Sequence, residues 1–201
     1  MKILVIGFQR SGTTLLRRLI NLHPDVQRMI HEKKILRSKQ IDKIKNDKPF
    51  TFRSCTIDTK KHWGEKVAYF SKNGSDVLRY VRLWLNTFNN NFRIIHIIRN
   101  TEDVIDSNFR KFGFKEGKVR NQHTTSIKNV SKKLQENSRY MEITFEDLVL
   151  HPEEILTNIF KFCKLNHSKE VVQKISTTKK GLRYFDSINP DRAYAYKKGK
   201  K

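Results

Sequence analysis

The stretch Ile3-Leu4-Val5-Ile6-Gly7-Phe8-Gln9-Arg10-Ser11-Gly12-Thr13-Thr14-Leu15-Leu16 organises the reading of the whole chain. Four apolar, mostly β-branched residues predict a buried parallel strand. A loop with glycine at both ends follows, and Leu15, Leu16, Leu19 and Ile20 then recur at helical spacing. A strand, a tight turn and a helix N-terminus converge several backbone N–H groups on one point, and the helix dipole adds positive potential there. The turn is therefore an anion site, suited to phosphate or sulfate.

The spelling of the loop narrows the anion. A nucleoside-triphosphate loop reads G-x-x-x-x-G-K-[ST], its lysine reaching the β- and γ-phosphates and its hydroxyl holding magnesium. Gly7 and Gly12 have that spacing, but Thr13 stands where the lysine would be, and the cation is Arg10. Such a loop keeps the cradle and suits a shorter 5′-anion, with Arg10 beside a transferred group. A plain strand–helix turn is the alternative. A second constellation, Arg93-Ile94-Ile95-His96-Ile97-Ile98-Arg99, is another apolar strand and runs into Asn100-Thr101-Glu102-Asp103. Asn100 or Thr101 can cap the next helix, and the two acids suit its positive first turn. Arg99 then lies at the carboxyl end of a parallel strand, where open α/β sheets bind ligands. Ser107 is two turns along, its side chain tilted back toward the helix start. Arginine and hydroxyl together make a second phosphate clamp. The alternative is an Arg99–Asp103 ion pair with Ser107 on a solvated face.

These residues resemble a family. Gly7-Phe8-Gln9-Arg10-Ser11-Gly12-Thr13-Thr14, continuing to His23-Pro24-Asp25-Val26, looks like the 5′-phosphosulfate loop of sulfotransferases. Ile94 to Arg99, with Ser107 eight residues past the arginine, looks like their 3′-phosphate element. Tyr140 to Val149 resembles a late strand and its "Y-E-D-L" turn, and Trp63-Gly64-Glu65-Lys66 resembles the "G-x-K" segment of the Golgi-type branch that sulfates protein tyrosines and glycans. The matches are collinear over residues 2 to about 165. Three departures stand out: Asn100-Thr101 replaces the usual Asp-Pro, Val67-Ala68 follow Lys66 where Thr or Ser and Pro are usual, and Phe145 replaces a tyrosine, which is expected to change only packing.

The resemblance implies an α/β fold, a P-loop-like open parallel sheet flanked by helices, as a single domain over residues 1–201. It also implies 3′-phosphoadenosine 5′-phosphosulfate (PAPS) as donor, 3′,5′-adenosine bisphosphate (PAP) as product, a hydroxyl or amine acceptor, and no metal. In that frame Arg10 is the cation at the leaving group, and Ser11, Gly12, Thr13 and Thr14 cradle the 5′-phosphate. Arg99 and Ser107 hold the 3′-phosphate, and Lys66 is a second cation on the sulfuryl group. Glu32 is the candidate general base, with His31 as the fallback because imidazole titrates near neutrality. The alternative for Glu32 is simple neutralisation of Lys33 and Lys34. His96 alternates with isoleucines, so it is expected to be a packed histidine or a donor to a neighbouring loop. Glu146 and Asp147 are expected to cap the helix after the late strand.

Composition bounds the rest. The chain has 201 residues, enough for a substantial core. Its 42 Lys plus Arg against 20 Asp plus Glu give a formal charge of +22. That field suits an anionic donor and an acidic glycan or peptide as acceptor, a small alcohol being the other option; lysine-rich coding bias is the plain explanation. Cys55 and Cys163 show no metal spacing and are expected to be reduced thiols. No apolar run approaches the ~18 residues of a membrane span. The apolar start is absorbed by the first strand, so a cytoplasmic location is the expectation. A P-loop nucleoside or nucleotide kinase and a basic nucleic-acid-binding module are the alternative functions. Further expectations are an irregular basic region over 27–62 with a helix near 35–44, a short strand at 67–70 and a long helix through Val77 to Phe88. A mobile acceptor loop is expected over 109–117, then a polar helix over 124–137, helices opened by Pro152 and Ser168, and a mobile basic tail over about 190–201.

Overall fold

The computed structural model describes residues 1–31, 41–52, 55–88 and 91–177. Its centre is one parallel sheet of β1 (Lys2–Phe8), β2 (Val26–His31), β5 (His62–Tyr69), β6 (Phe92–Ile98) and β7 (Tyr140–Thr144), in the spatial order β2-β5-β1-β6-β7. A small antiparallel hairpin, β3 (Phe50–Phe52) with β4 (Cys55–Ile57), and a short helix α2 (Ile41–Lys45) lie between β2 and β5 in sequence. The chain leaves β1 toward one edge, returns, and then proceeds past β1 to the other edge. The crevices beside β1 at its carboxyl end are thus where the strand order reverses.

β1 reads as continuous apolar sequence because helices cover both faces of the sheet. Leu4, Ile6 and Phe8 enter a core shared with α3 (Ser75–Phe88), α4 (Thr101–Phe112) and α5 (Glu116–Leu134). Ile3 and Val5 enter the opposite core, with α1 (Thr13–Ile20), α6 (Phe145–Leu150), α7 (Pro152–Phe162) and α8 (Lys169–Ser176). On α3, Val77, Tyr80, Val81, Trp84 and Phe88 form one buried stripe. Trp84 packs on the rings of Trp63, Phe88 and Phe92 with centroids 5.9, 5.0 and 5.7 Å away.

Among the described residues three imidazoles are buried, His23, His96 and His123, and the last two sit among the strands and helices around the candidate site. His96, fully buried in β6, lies between the Tyr69 hydroxyl, 2.9 Å from Nε2, and the Tyr140 hydroxyl, 2.7 Å from Nδ1; Glu142 Oε2 is 3.3 Å from Nδ1. Burial pushes the His96 pKa down, and the hydrogen bond from His96 is the main reason the Glu142 carboxyl is held at about 2. His96 is thus a packed histidine whose partners are strand side chains rather than a loop. His123 of α5 packs edge-on against Phe8 (5.0 Å) and bonds Thr101 Oγ1 through Nδ1 at 3.1 Å. Burial lowers its pKa to about 4.

Several expectations are corrected. Residues 27–62 are not wholly irregular: β2 is an edge strand and β3–β4 a hairpin, because Val26, Met29 and Ile30 find buried partners beside β5. The strand expected at 67–70 begins at His62, since Trp63 and Gly64 also fit between β1 and β2. The expected loop over 109–117 is mostly helix: α4 runs on to Phe112, Gly113 ends it, and α5 starts at Glu116 rather than near 124. The cap of α6 is Thr144, whose hydroxyl accepts from the Asp147 N–H at 2.9 Å and donates to Asp147 Oδ2 at 2.7 Å. Glu146 instead reaches back to the Asn100 N–H at 3.0 Å. Cys163 is a buried free thiol whose pKa is pushed up to about 12 by burial, as a core role requires. No helix among the described residues is long and apolar enough to cross a membrane. The tail over 190–201 and the Cys55 side chain lie outside the described residues.

Two measurements check this account. A Cβ on Gly64 would lie 2.2 Å from the Ile3 carbonyl oxygen and 2.7 Å from Met29 Sδ, in a ladder whose backbone cannot yield. Gly64→Ala is expected to lower unfolding stability by about 1–3 kcal/mol in a denaturant titration. His123 is held neutral in the fold down to about pH 4, whereas a free imidazole protonates near 6.5. Its contribution is therefore complete above pH 6.5 and is lost as pH falls toward 4, to a limit of roughly 3 kcal/mol. His123→Gln is expected to flatten that part of the stability–pH curve.

Candidate active site

The loop after β1 is shaped by two left-handed residues. Gln9 N–H donates to the Tyr69 carbonyl at 2.8 Å and Ser11 N–H to the Phe8 carbonyl at 3.0 Å, which turns the chain out of the sheet. Arg10 has φ 75° and Gly12 φ 92°. For an arginine this costs about 1–2 kcal/mol, so the surrounding contacts must hold it there. At Gly12 no side chain fits: a Cβ would lie 2.3 Å from Phe145 Cδ2. Helix α1 starts immediately after, with no side-chain cap at Gly12 and no acid in its first turn. Its positive end is thus left uncompensated by protein carboxylates.

The second element comes from β6 and α4. Asn100 caps α4 by accepting the Glu102 N–H at 2.9 Å, as the Asn-Thr replacement for Asp-Pro allows. Arg99, at the end of β6, places its Cζ over the Phe145 ring, 4.3 Å from the centroid, and approaches Asp103 at 3.6 Å. Its Nη1 donates to the Arg10 carbonyl at 3.3 Å. Arg10 in turn donates its Nε–H to Ser107 Oγ at 2.8 Å. The two sequence constellations, 97 residues apart at this bond, are one hydrogen-bonded unit. Asn108, fully buried on the same helix, adds a bond from Nδ2 to the Gln9 carbonyl at 3.4 Å.

A cavity of about 340 Å³ opens at this point, lined among others by Arg10, Gly12, Thr13, Thr14, His31, Lys66 and Arg99. Of the expected site residues, these seven therefore converge. Ser107 joins through Arg10, and Ser11 is fully buried within the loop, its hydroxyl without a partner. Lys66 is buried on β5 and stands in register beside His31 on β2, so the fallback base and the second cation are cross-strand neighbours. Glu32 lies outside the described residues. Two larger cavities, of about 710 and 530 Å³, lie between α3 and α5 and beside β7, away from this chemistry.

Burial is the main influence lowering the Arg99 pKa; Asp103 and Glu146 oppose it, and the like charges of Arg10 and Arg110 add to it. Arg99 Nε is buried with no hydrogen-bond partner. The site thus carries an excess of cationic donors at one end of the sheet, a field that favours an anion. The Arg99–Asp103 pair, read from sequence as an alternative to a clamp, coexists with the loop contacts because the guanidinium has several edges. Sequence reasoning missed Asn108 and gave Phe145 a packing role alone. Phe145 does more than pack: it supplies the face on which Arg99 lies and the wall against Gly12. The sequence signal for it was its place at the aromatic position of the turn after the late strand.

The family model for the sulfotransferase domain matches residues 1–180. No curated protein matches the chain. Among solved structures, mouse sulfotransferase SULT7A1 complexed with PAP superposes with TM-score 0.65 at 13% identity, covering 94% of this chain and 66% of that one, so the present chain spans about two thirds of its length. The sulfotransferase domain from the Synechococcus PCC 7002 olefin synthase gives TM-score 0.65 at 17% identity, covering 98% and 87%. The sulfotransferase domain from the curacin biosynthetic pathway gives 0.62 at 15%, covering 89% and 78%. At such identities the structural likeness speaks for the fold: a parallel sheet with helices on both faces. Taken with a domain match over nearly the full length, it places the chain in the sulfotransferase domain family.

Proposed function

We propose that this protein transfers a sulfuryl group from PAPS to a hydroxyl or amine. The observation that carries this reading is the linkage of two cationic clamps at the reversal of strand order, Arg10 to Ser107 and Arg99 to the Arg10 carbonyl. A donor charged at its 5′ and 3′ ends needs two anion sites on neighbouring strand ends. The buried Ser11 hydroxyl and the Arg99 Nε–H, both without partners, are groups that bound anion oxygens would satisfy.

In this reading Ser11, Gly12, Thr13 and Thr14 hold the 5′-phosphate through the start of α1, and Arg99 with Ser107 holds the 3′-phosphate. The acceptor oxygen or nitrogen attacks sulfur as the bond from sulfur to the phosphate oxygen breaks. Negative charge grows on the leaving phosphate, where Arg10 meets it, while Lys66 faces the sulfuryl oxygens. The acceptor proton passes to His31 or Glu32, and PAP departs. No metal is required, because the cations that would neutralise the leaving group are side chains. Acidic glycans or peptides suit the charge of +22, and a small alcohol remains within the same chemistry. A triphosphate kinase reading is disfavoured by Thr13 at the lysine position.

PAP is expected to raise the melting temperature without magnesium, and ATP to raise it much less. Arg99→Ala is expected to weaken PAP binding about 10–100-fold, the worth of a charge-assisted bond in a partly buried site. Arg10→Ala is expected to reduce kcat more than PAP affinity, read by labelled-sulfate transfer across an acceptor panel. Wild-type behaviour of both variants would overturn the assignment.

A further inference from the structure

A second cavity lies away from the strand ends, a groove of about 710 Å³ between α3 and α5, and its lining includes five cations, Arg79, Arg82, Lys128, Lys132 and Lys133. No carboxylate lines it, and none of the five has an ion-pair partner among the described residues. This is a property of one side of α5 only. Where the same helix faces α4, Arg120 is neutralised by both Glu102 and Glu116. Asp76, next in sequence to the lining residue Ser75, is engaged by the Ser71 hydroxyl.

The groove walls are held in place. Ser126 Oγ donates to the Ser71 carbonyl at 2.8 Å, and Asn129 Nδ2 donates to the Asn73 carbonyl at 2.5 Å. The cations therefore project from fixed helices rather than from loops. Lys128 and Lys133 are spread over about 7.5 Å of helix axis and Arg79 and Arg82 over about 4.5 Å. Such an arrangement matches a chain with charges along its length better than a single ion. Asn73, at the groove head, is five residues from Ala68, which lines the strand-end cavity. An extended chain of that length spans at most about 18 Å, so one ligand could occupy both places.

We propose that this groove binds an anionic polysaccharide, a chain bearing sulfates or uronic acids, and so presents it as the acceptor. The proposal rests on the sulfuryl-transfer reading for its catalytic half. The chemistry of the lining favours this occupant. Leu78 is its one apolar side chain and no aromatic ring lines it. Single-stranded nucleic acid is gripped by stacking bases on aromatic rings, which are missing here. Acidic peptide motifs are recognised by clusters of arginine, whose planar fork pairs bidentately with carboxylates, whereas three of the five cations here are lysines. Asn73, Ser75, Thr125 and Asn129 instead supply the amides and hydroxyls that sugar hydroxyls pair with.

The test compares the triple variant Arg79→Gln/Lys128→Gln/Lys132→Gln with a control of equal charge loss on the opposite side, Lys161→Gln/Lys169→Gln/Lys174→Gln. Glutamine preserves helix propensity, and a second variant, Arg82→Gln/Lys133→Gln, guards against a local folding defect. The probes are a fluorescent heparin decasaccharide, polyuridylate and polyglutamate, measured by equilibrium binding as a function of salt. The groove variants are expected to lose at least about tenfold in decasaccharide affinity at 0.15 M salt, with a shallower salt dependence, and the control less than about threefold. Equal losses in groove and control variants would overturn the site. Equal or tighter groove-dependent binding of polyuridylate or polyglutamate would overturn the saccharide assignment. The PAP-induced melting shift reads the donor site separately: its absence in the unaltered protein would sink the sulfuryl-transfer reading while saccharide binding still judged the groove.

Discussion

Two guanidinium groups of like charge stand next to each other where the strand order reverses, and much of the surrounding structure follows from keeping them there. Arg99 lies on Phe145, leans on Asp103 and grips the carbonyl of Arg10. Arg10 is bent into a left-handed conformation that a free chain avoids, and Ser107 receives its side chain. Each contact offsets part of the mutual repulsion and the backbone strain. An anion between the two groups would remove the rest of the repulsion, so the pair is poised for one.

The same constraint explains the polar residues in the interior. Asn108 ties α4 to the loop, His123 ties α5 to Thr101 and Phe8, and Glu146 ties α6 to the Asn100 amide. These are bonds between elements rather than within them. They make the loop, both clamp helices and the late turn a single body. The sulfuryl transfer proposed for this site, which would need its groups aligned to within about 0.5 Å, would gain from such rigidity.

The division of the positive charge is a separate matter. Part of it is concentrated at the strand ends, and another part lines the side groove between α3 and α5, where no acid balances it. Elsewhere, as at Arg120, acids sit against the cations. A net charge alone describes none of this. Only the placement of each side chain separates a solvated face from a surface arranged for a ligand.

Local sequence determined a good deal. The runs at Ile3–Ile6 and Ile94–Ile98 read as buried strands, because every residue in them except His96 is apolar. Glycine at position 12 and the capping residue Asn100 carried the turns, since their requirements are met within a few residues. Arg10, Ser11, Thr13, Thr14, Arg99 and Ser107 could therefore be grouped from sequence alone as candidates for two anion clamps. The tertiary structure decided what depends on distant partners: that Arg10 bonds Ser107 across the sheet, that Phe145 is the platform for Arg99, and that His31 stands beside Lys66. It also decided that residues 109–117 are mostly helical and that five lysines and arginines share one groove. Residues far apart in the chain meet only through sheet order and helix packing, and a linear pattern carries no record of which of the many sterically allowed neighbours those will be.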